Sequence, residues 1–228
     1  MIKFVDKLDR TESTELPAPS NYKEIKPILK TFDNKVQRFW EDVFGEDNTS
    51  EDSCFTDEEI ISEIFERNES DFKFDINIAD KAIQEELANF DNENWNELNE
   101  TQKLEVIDDF ISILCEKMGG EEKPRLFLFE NDENICGAYN NQTNILELNR
   151  NILDKPKEVI NTIAHETRHA YQYQRACIGE TREDVLYAIN FLNYVEPIQF
   201  EGNYVNFNEY QNQLIEAEAR AFAKQFSN

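Results

Sequence analysis

The sequence predicts an α+β protein in which an acidic, helical amino-terminal region precedes a compact unit built from a small sheet packed on one long helix. Three observations carry this expectation. Apolar residues recur at helical spacing over most of the chain, β-type runs are confined to residues 125–148, and charge is unevenly divided. Residues 1–100 hold 27 acidic and 11 basic side chains (net −16), whereas residues 101–228 hold 21 and 12 (net −9). The expected units are an acidic, mainly helical region with a flexible tail over 1–94 and a compact domain over 95–228.

Residues 1–20, with Pro17, Pro19 and little periodicity, read as the tail. Val36, Phe39, Trp40, Val43 and Phe44 then form one apolar helical stripe, which either packs on the core or offers a docking surface. The segment from Glu46 to Ser53 has loop composition, and Thr56 with Glu59 makes a capping box ahead of Ile60, Ile61, Ile64 and Phe65. Leu104, Ile107, Phe110, Ile111, Leu114 and Met118 keep 3.6-residue spacing up to the stop at Gly119-Gly120. Arg125 to Phe129 reads as a strand. A hairpin follows, from Ile135 to Tyr139 and Asn144 to Leu148, around the turn formers Asn140-Asn141. Asp154 as N-cap and Pro156 near the first turn open a helix that contains both histidines of the chain, and a last helix spans about 212–226.

With 39% apolar residues and 17 phenylalanines among 228, the chain has material for a core, and no apolar run approaches a membrane span. Charge interrupts the first residues before any long hydrophobic stretch, so no secretory signal is read and the cytoplasm is the expected compartment, with export by an unrecognised signal left open. Cys54, Cys115, Cys136 and Cys177 form no CxxC pair, which argues against a cysteine metal site. A net charge of −25 disfavours nucleic acid and anionic membrane as partners. It serves solubility, or fits a basic protein partner for the acidic region.

The chemistry lies in His165-Glu166-Thr167-Arg168-His169. Residues four apart on a helix share a face, so both imidazoles can meet one tetrahedral zinc. Glu166 flanks the same position and can take a proton from zinc-activated water, which then attacks a carbonyl. No third histidine follows, because Ala176 stands at the position where the extended motif would supply it; the third ligand must be a carboxylate. Glu180 and Glu183 are nearest in sequence, but they follow Gly179 and read as acids of the next helix's first turn.

The stretch from Ile163 to Gln172 resembles the active-site helix of zincin metallopeptidases. The stretch Glu216-Ala217-Glu218-Ala219-Arg220-Ala221-Phe222-Ala223 resembles the downstream helix of the gluzincin group, especially phage- and plasmid-type repressor-cleaving peptidases and lethal-factor-type toxin peptidases. The resemblance covers about residues 100–228. It implies one zinc ion per chain, held by His165, His169 and a glutamate of the downstream helix, with Glu166 as general base. Glu216 and Glu218 compete for the ligand role; the resemblance favours Glu216 and leaves Glu218 a supporting hydrogen bond to a metal-bound histidine. It also implies that Tyr210 stabilises an oxyanion, although packing explains many tyrosines equally well. Arg168 and Arg220 read either as orienting groups or as surface ion pairs.

The expected function is therefore hydrolysis of a peptide bond in a protein or peptide substrate by a zinc metallopeptidase. The strand around Gly137-Ala138-Tyr139 would offer an open edge to an extended peptide. The alternatives are a non-proteolytic binding or regulatory module on the same fold, and a delivered peptidase toxin with an amino-terminal regulatory segment.

Overall fold

The computed structural model describes residues 2–4, 62–130, 135–200 and 203–226, and its elements are helices around a small mixed sheet, as the α+β expectation requires. The stripe from Val36 to Phe44 and the capping pair Thr56 and Glu59 lie outside these residues.

Three helices lead into the core: α1 (Lys81–Asn89), α2 (Asn92–Glu97) and α3 (Glu100–Met118). Local chemistry sets the limits of α3. Asn99 and Gln102 cap its start reciprocally, and Gly119 ends it in a left-handed conformation (φ 72°), which glycine adopts without steric cost. The sheet comprises β1 (Ile2–Phe4), β2 (Arg125–Phe129), β3 (Gly137–Asn140) and β4 (Ile145–Asn149), in the order β1-β3-β4-β2. β3 runs antiparallel to both neighbours, and β2 is parallel to β4. The β3–β4 turn is held by Asn140, whose Oδ1 accepts from the backbone amides of Gln142 and Thr143, and by Asn144 at φ 50°. Ile2–Phe4 thus forms a strand within the stretch expected as tail, and the β3 edge expected to be open is paired with it.

The long helix α4 (Pro156–Ile178) follows a short 3-10 turn (Arg150–Ile152). Its N-cap is Lys155 rather than Asp154. Pro156 occupies the first turn and biases the preceding residue out of helical conformation, while Asp154 pairs instead with Lys103 Nζ at 2.9 Å. Helix α5 (Arg182–Leu192), a two-stranded ribbon of β5 (Gln199–Phe200) and β6 (Asn203–Tyr204), and helices α6 (Phe207–Asn212) and α7 (Leu214–Lys224) complete the chain. The final helix expected over 212–226 is α7, and the short α6, which was not expected, precedes it and is separated from it at the extended residue Gln213 (ψ 147°).

The main core joins Ile83, Phe90 and Trp95 to Ile107, Phe110 and Leu114 of α3, Leu146 and Leu148 of β4, Ile163 of α4, and Phe222 of α7. Residues on both sides of position 94 share it. Each such side chain contributes roughly 1.5–3 kcal/mol by leaving water. Trp95 also donates its indole N–H to the Leu153 carbonyl at 2.7 Å, fixing the entry to α4. A second cluster, with Ile64, Val185, Tyr187, Ile189 and Ile215, lies beneath α5 and the start of α7. Packed between α3, α5, α7 and the sheet, α4 is buried without interruption from Thr162 to Ala170.

Candidate metal centre

His165 and His169 lie one turn apart on the buried part of α4, with their Nε2 atoms 3.0 Å apart. Glu216, in the first turn of α7, places Oε2 3.4 Å from His165 Nε2 and Oε1 3.4 Å from His169 Nε2, and all three side chains are fully buried. Ligand atoms held tetrahedrally at roughly 2.0–2.1 Å from zinc stand about 3.3 Å from one another. The spacing of these donors matches that geometry. Among the described residues they are the one such group of potential ligands, with one donor atom each, all within 4.8 Å.

The approach of α7 depends on its first turn. Gln213 Nε2 donates to the carbonyls of Val195 and Tyr210, and Gln213 Oε1 accepts from Asn190 Nδ2. Asn190 Oδ1 in turn accepts the Ile215 amide at 2.9 Å. This buried clamp starts α7 one residue after the break, and Ala217, Ala219 and Ala223 let its backbone lie close to α4. Burial by itself would raise the pKa of Glu216, but the two imidazoles outweigh it and hold the carboxyl well below its ordinary value. Burial lowers His165 to about 4, so its ring is neutral at neutral pH.

His169 is oriented from behind. Gln172 Nε2 donates to the Ile215 carbonyl (3.1 Å) and to Glu218 Oε2 (2.6 Å), which are both acceptors and thus fix the amide's orientation. Gln172 Oε1 must then accept from His169 Nδ1–H, at 2.9 Å, which turns His169 Nε2 toward Glu216. Glu218 is anchored by Arg168 Nη2 and by the Tyr187 hydroxyl at 2.8 Å. The Arg168 guanidinium also lies over the rings of Phe74, Tyr171 and Phe222.

Glu166 is fully buried, and neither of its carboxylate oxygens has a hydrogen-bond partner of good geometry. Burial and the Glu216 charge raise its pKa well above the usual carboxylate range, with the Tyr139 backbone amide pulling weakly the other way. Strand β3 presses on the same turn of α4. A Cβ on Gly137 would stand 2.5 Å from Thr162 Cγ2, 2.9 Å from the Glu147 carbonyl oxygen and 3.5 Å from Glu166 Cγ. Two tyrosines adjoin the carboxylates: Tyr194 donates to Glu216 Oε1 at 2.7 Å, and Tyr210, 2% exposed, feels the charges of both Glu216 and Glu166. Burial raises the pKa of both hydroxyls, so each is a proton donor at neutral pH.

His165, Glu166, His169, Glu216 and Tyr210 are therefore brought together. Glu180 and Glu183 lie around the start of α5, outside the donor group. Glu218 supports His169 through Gln172 and does not contact it directly. Arg168 is no surface ion pair, being 8% exposed, whereas Arg220 bonds Glu69 and the Gln211 carbonyl and lies near enough for its charge to act on His165 and Tyr210. Sequence reasoning overlooked Gln172 and Tyr194. Gln172, three residues after His169 on the same helical face, could have been found by spacing; Tyr194, in the connection after α5, carried no periodic signal. Comparisons with known protein families, curated proteins and solved structures return no match to this chain. No helix among the described residues is long and apolar enough to cross a membrane.

Proposed function

We propose that the protein is a zinc metallopeptidase of the gluzincin-like zincin type, hydrolysing a peptide bond in a protein or peptide substrate. One observation carries this reading: the buried convergence of His165, His169 and Glu216 at tetrahedral ligand spacing, with Glu166 beside it. The donor set of two imidazoles and one carboxylate is that of a catalytic zinc site with an open position. Zinc held by His165, His169 and Glu216 would supply Lewis-acid chemistry, lowering the pKa of a bound water and polarising a carbonyl.

The chain's own residues supply the rest. Glu166, its pKa raised by burial and by Glu216, is suited to accept a proton and return it to the leaving amine. Gln172 keeps His169 Nε2 available to the cation by occupying Nδ1. The Tyr210 hydroxyl is the donor for the developing oxyanion.

Metal analysis and one substitution test the proposal. The purified protein is expected to hold about one zinc per chain. Glu166→Gln should keep that zinc and lose cleavage of a peptide library, because the amide retains size without basicity. Sub-stoichiometric metal that added zinc does not restore, or cleavage that survives in the glutamine variant, would overturn it.

A further inference from the structure

We propose that the β3 edge beside Glu166 is a strand-exchange surface. Ile2–Phe4 fills in cis the place where an extended polypeptide pairs with β3, so a substrate must displace this strand to reach the metal centre. This rests on the peptidase reading and adds its regulation.

β1 pairs antiparallel with β3 in the register Ile2↔Tyr139, Lys3↔Ala138 and Phe4↔Gly137. β3 is the strand that touches the base: Gly137 abuts Thr162 and Glu166, and the Tyr139 backbone faces the Glu166 carboxylate. β1 also touches α4 itself. Three consecutive backbone positions therefore run along a strip bounded by the sheet edge and by the helix that carries His165 and Glu166. An extended peptide presented to the metal centre by strand addition would use the same strip.

The far side of β3 is paired with β4, so the side taken by β1 is the one ladder edge that β3 has to offer. Neighbouring strands lie about 4.8 Å apart, and two backbones cannot share that position. Exchange is accordingly competitive. A strand of three residues is at the short end of the range found in sheets, which suits displacement rather than permanent closure. The partner that fits is an unfolded polypeptide segment, because only an extended backbone reproduces this pairing.

Proline tests the pairing because it removes a backbone N–H. Along an antiparallel ladder, alternate residues bond to the partner strand. One of the two variants Lys3→Pro and Ile2→Pro/Phe4→Pro therefore breaks the ladder, and the other is its matched control. The probe is a labelled synthetic peptide, Met-Ile-Lys-Phe-Val-Asp-Lys-Leu, copying residues 1–8. Its binding to the zinc-loaded full chain is read by fluorescence anisotropy. The ladder-breaking variant should bind it at least ~10-fold more tightly than the unmodified chain and the control, the order expected when an intramolecular competitor is removed. Equal affinity in all three, or binding to none, overturns the inference.

Hydrogen exchange on the unmodified chain gives a second measurement. The β3 amides that face β1 should be protected, and protection should fall in the ladder-breaking variant alone; free exchange in the unmodified chain also overturns the inference. Peptide binding requires no hydrolysis, so the two readings fail separately. The expected binding pattern without cleavage of any peptide removes only the peptidase assignment, whereas cleavage abolished by Glu166→Gln with equal binding in all three chains removes only strand exchange.

Discussion

Gln172 Oε1 lies 2.9 Å from His169 Nδ1, and that contact decides which nitrogen of the ring is open to a cation. The amide cannot turn round, since its Nε2 is committed to Ile215 and Glu218. Gln172→Leu should keep the helix and weaken zinc binding by roughly 10–100-fold, the usual cost of losing a partner behind a ligand. Competition against a chelating dye measures it; unchanged affinity would show that ring orientation is set elsewhere.

Glu216 and Glu218 are both buried on α7, but they do different work. Glu216→Ala should empty the metal site and leave the fold cooperative, because its carboxylate faces the imidazoles and the Tyr194 hydroxyl within the site. Glu218→Ala leaves Arg168 buried without its carboxylate and should cost about 3–5 kcal/mol. Zinc titration with urea denaturation separates the two. A site emptied by Glu218→Ala but filled in Glu216→Ala would reverse the ligand assignment.

Gly137 has no space for a side chain. Gly137→Ala places a methyl against Thr162 and the Glu147 carbonyl, so β3 must move off α4, at a cost of about 1–3 kcal/mol. Chemical denaturation should register this while zinc affinity stays near that of the unmodified protein, since His165, His169 and Glu216 lie on other elements.

Zinc should also stabilise the folded chain, because its three ligands converge only after α4 and α7 pack together. At free zinc 1,000 times the dissociation constant the gain is about 4 kcal/mol. For a protein of this size that raises Tm by roughly 2–4 °C per kcal/mol, and a chelator should reverse the rise. A Tm indifferent to zinc would contradict a structural link between the site and the fold.

Much of this arrangement is written in local sequence. Asn99 with Gln102, Gly119, and Pro156 with Gly179 mark the limits of α3 and α4 to within a residue or two, because capping is a short-range effect. The histidine spacing placed the two imidazoles for the same reason. The third ligand was harder to read, since periodicity along α7 treats Glu216 and Glu218 almost alike and a long-range contact with Gln172 separates them. The short helix α6 and the turn at Gln213 that ends it were not read, because that turn depends on Asn190 and Val195, in another helix and its connection. Ile2–Phe4 carries no strand signature strong enough to announce pairing with residues more than a hundred positions away. Non-local partners decide all three points.

The chain has only two histidines, and both are fully buried at the donor group. Every imidazole resonance in a magnetic-resonance spectrum of this protein therefore originates at the candidate centre, with no surface ring to obscure it. Paramagnetic cobalt at the donor group would shift both imidazoles of the chain most strongly, making the intact chain a self-labelled reporter of its own coordination chemistry.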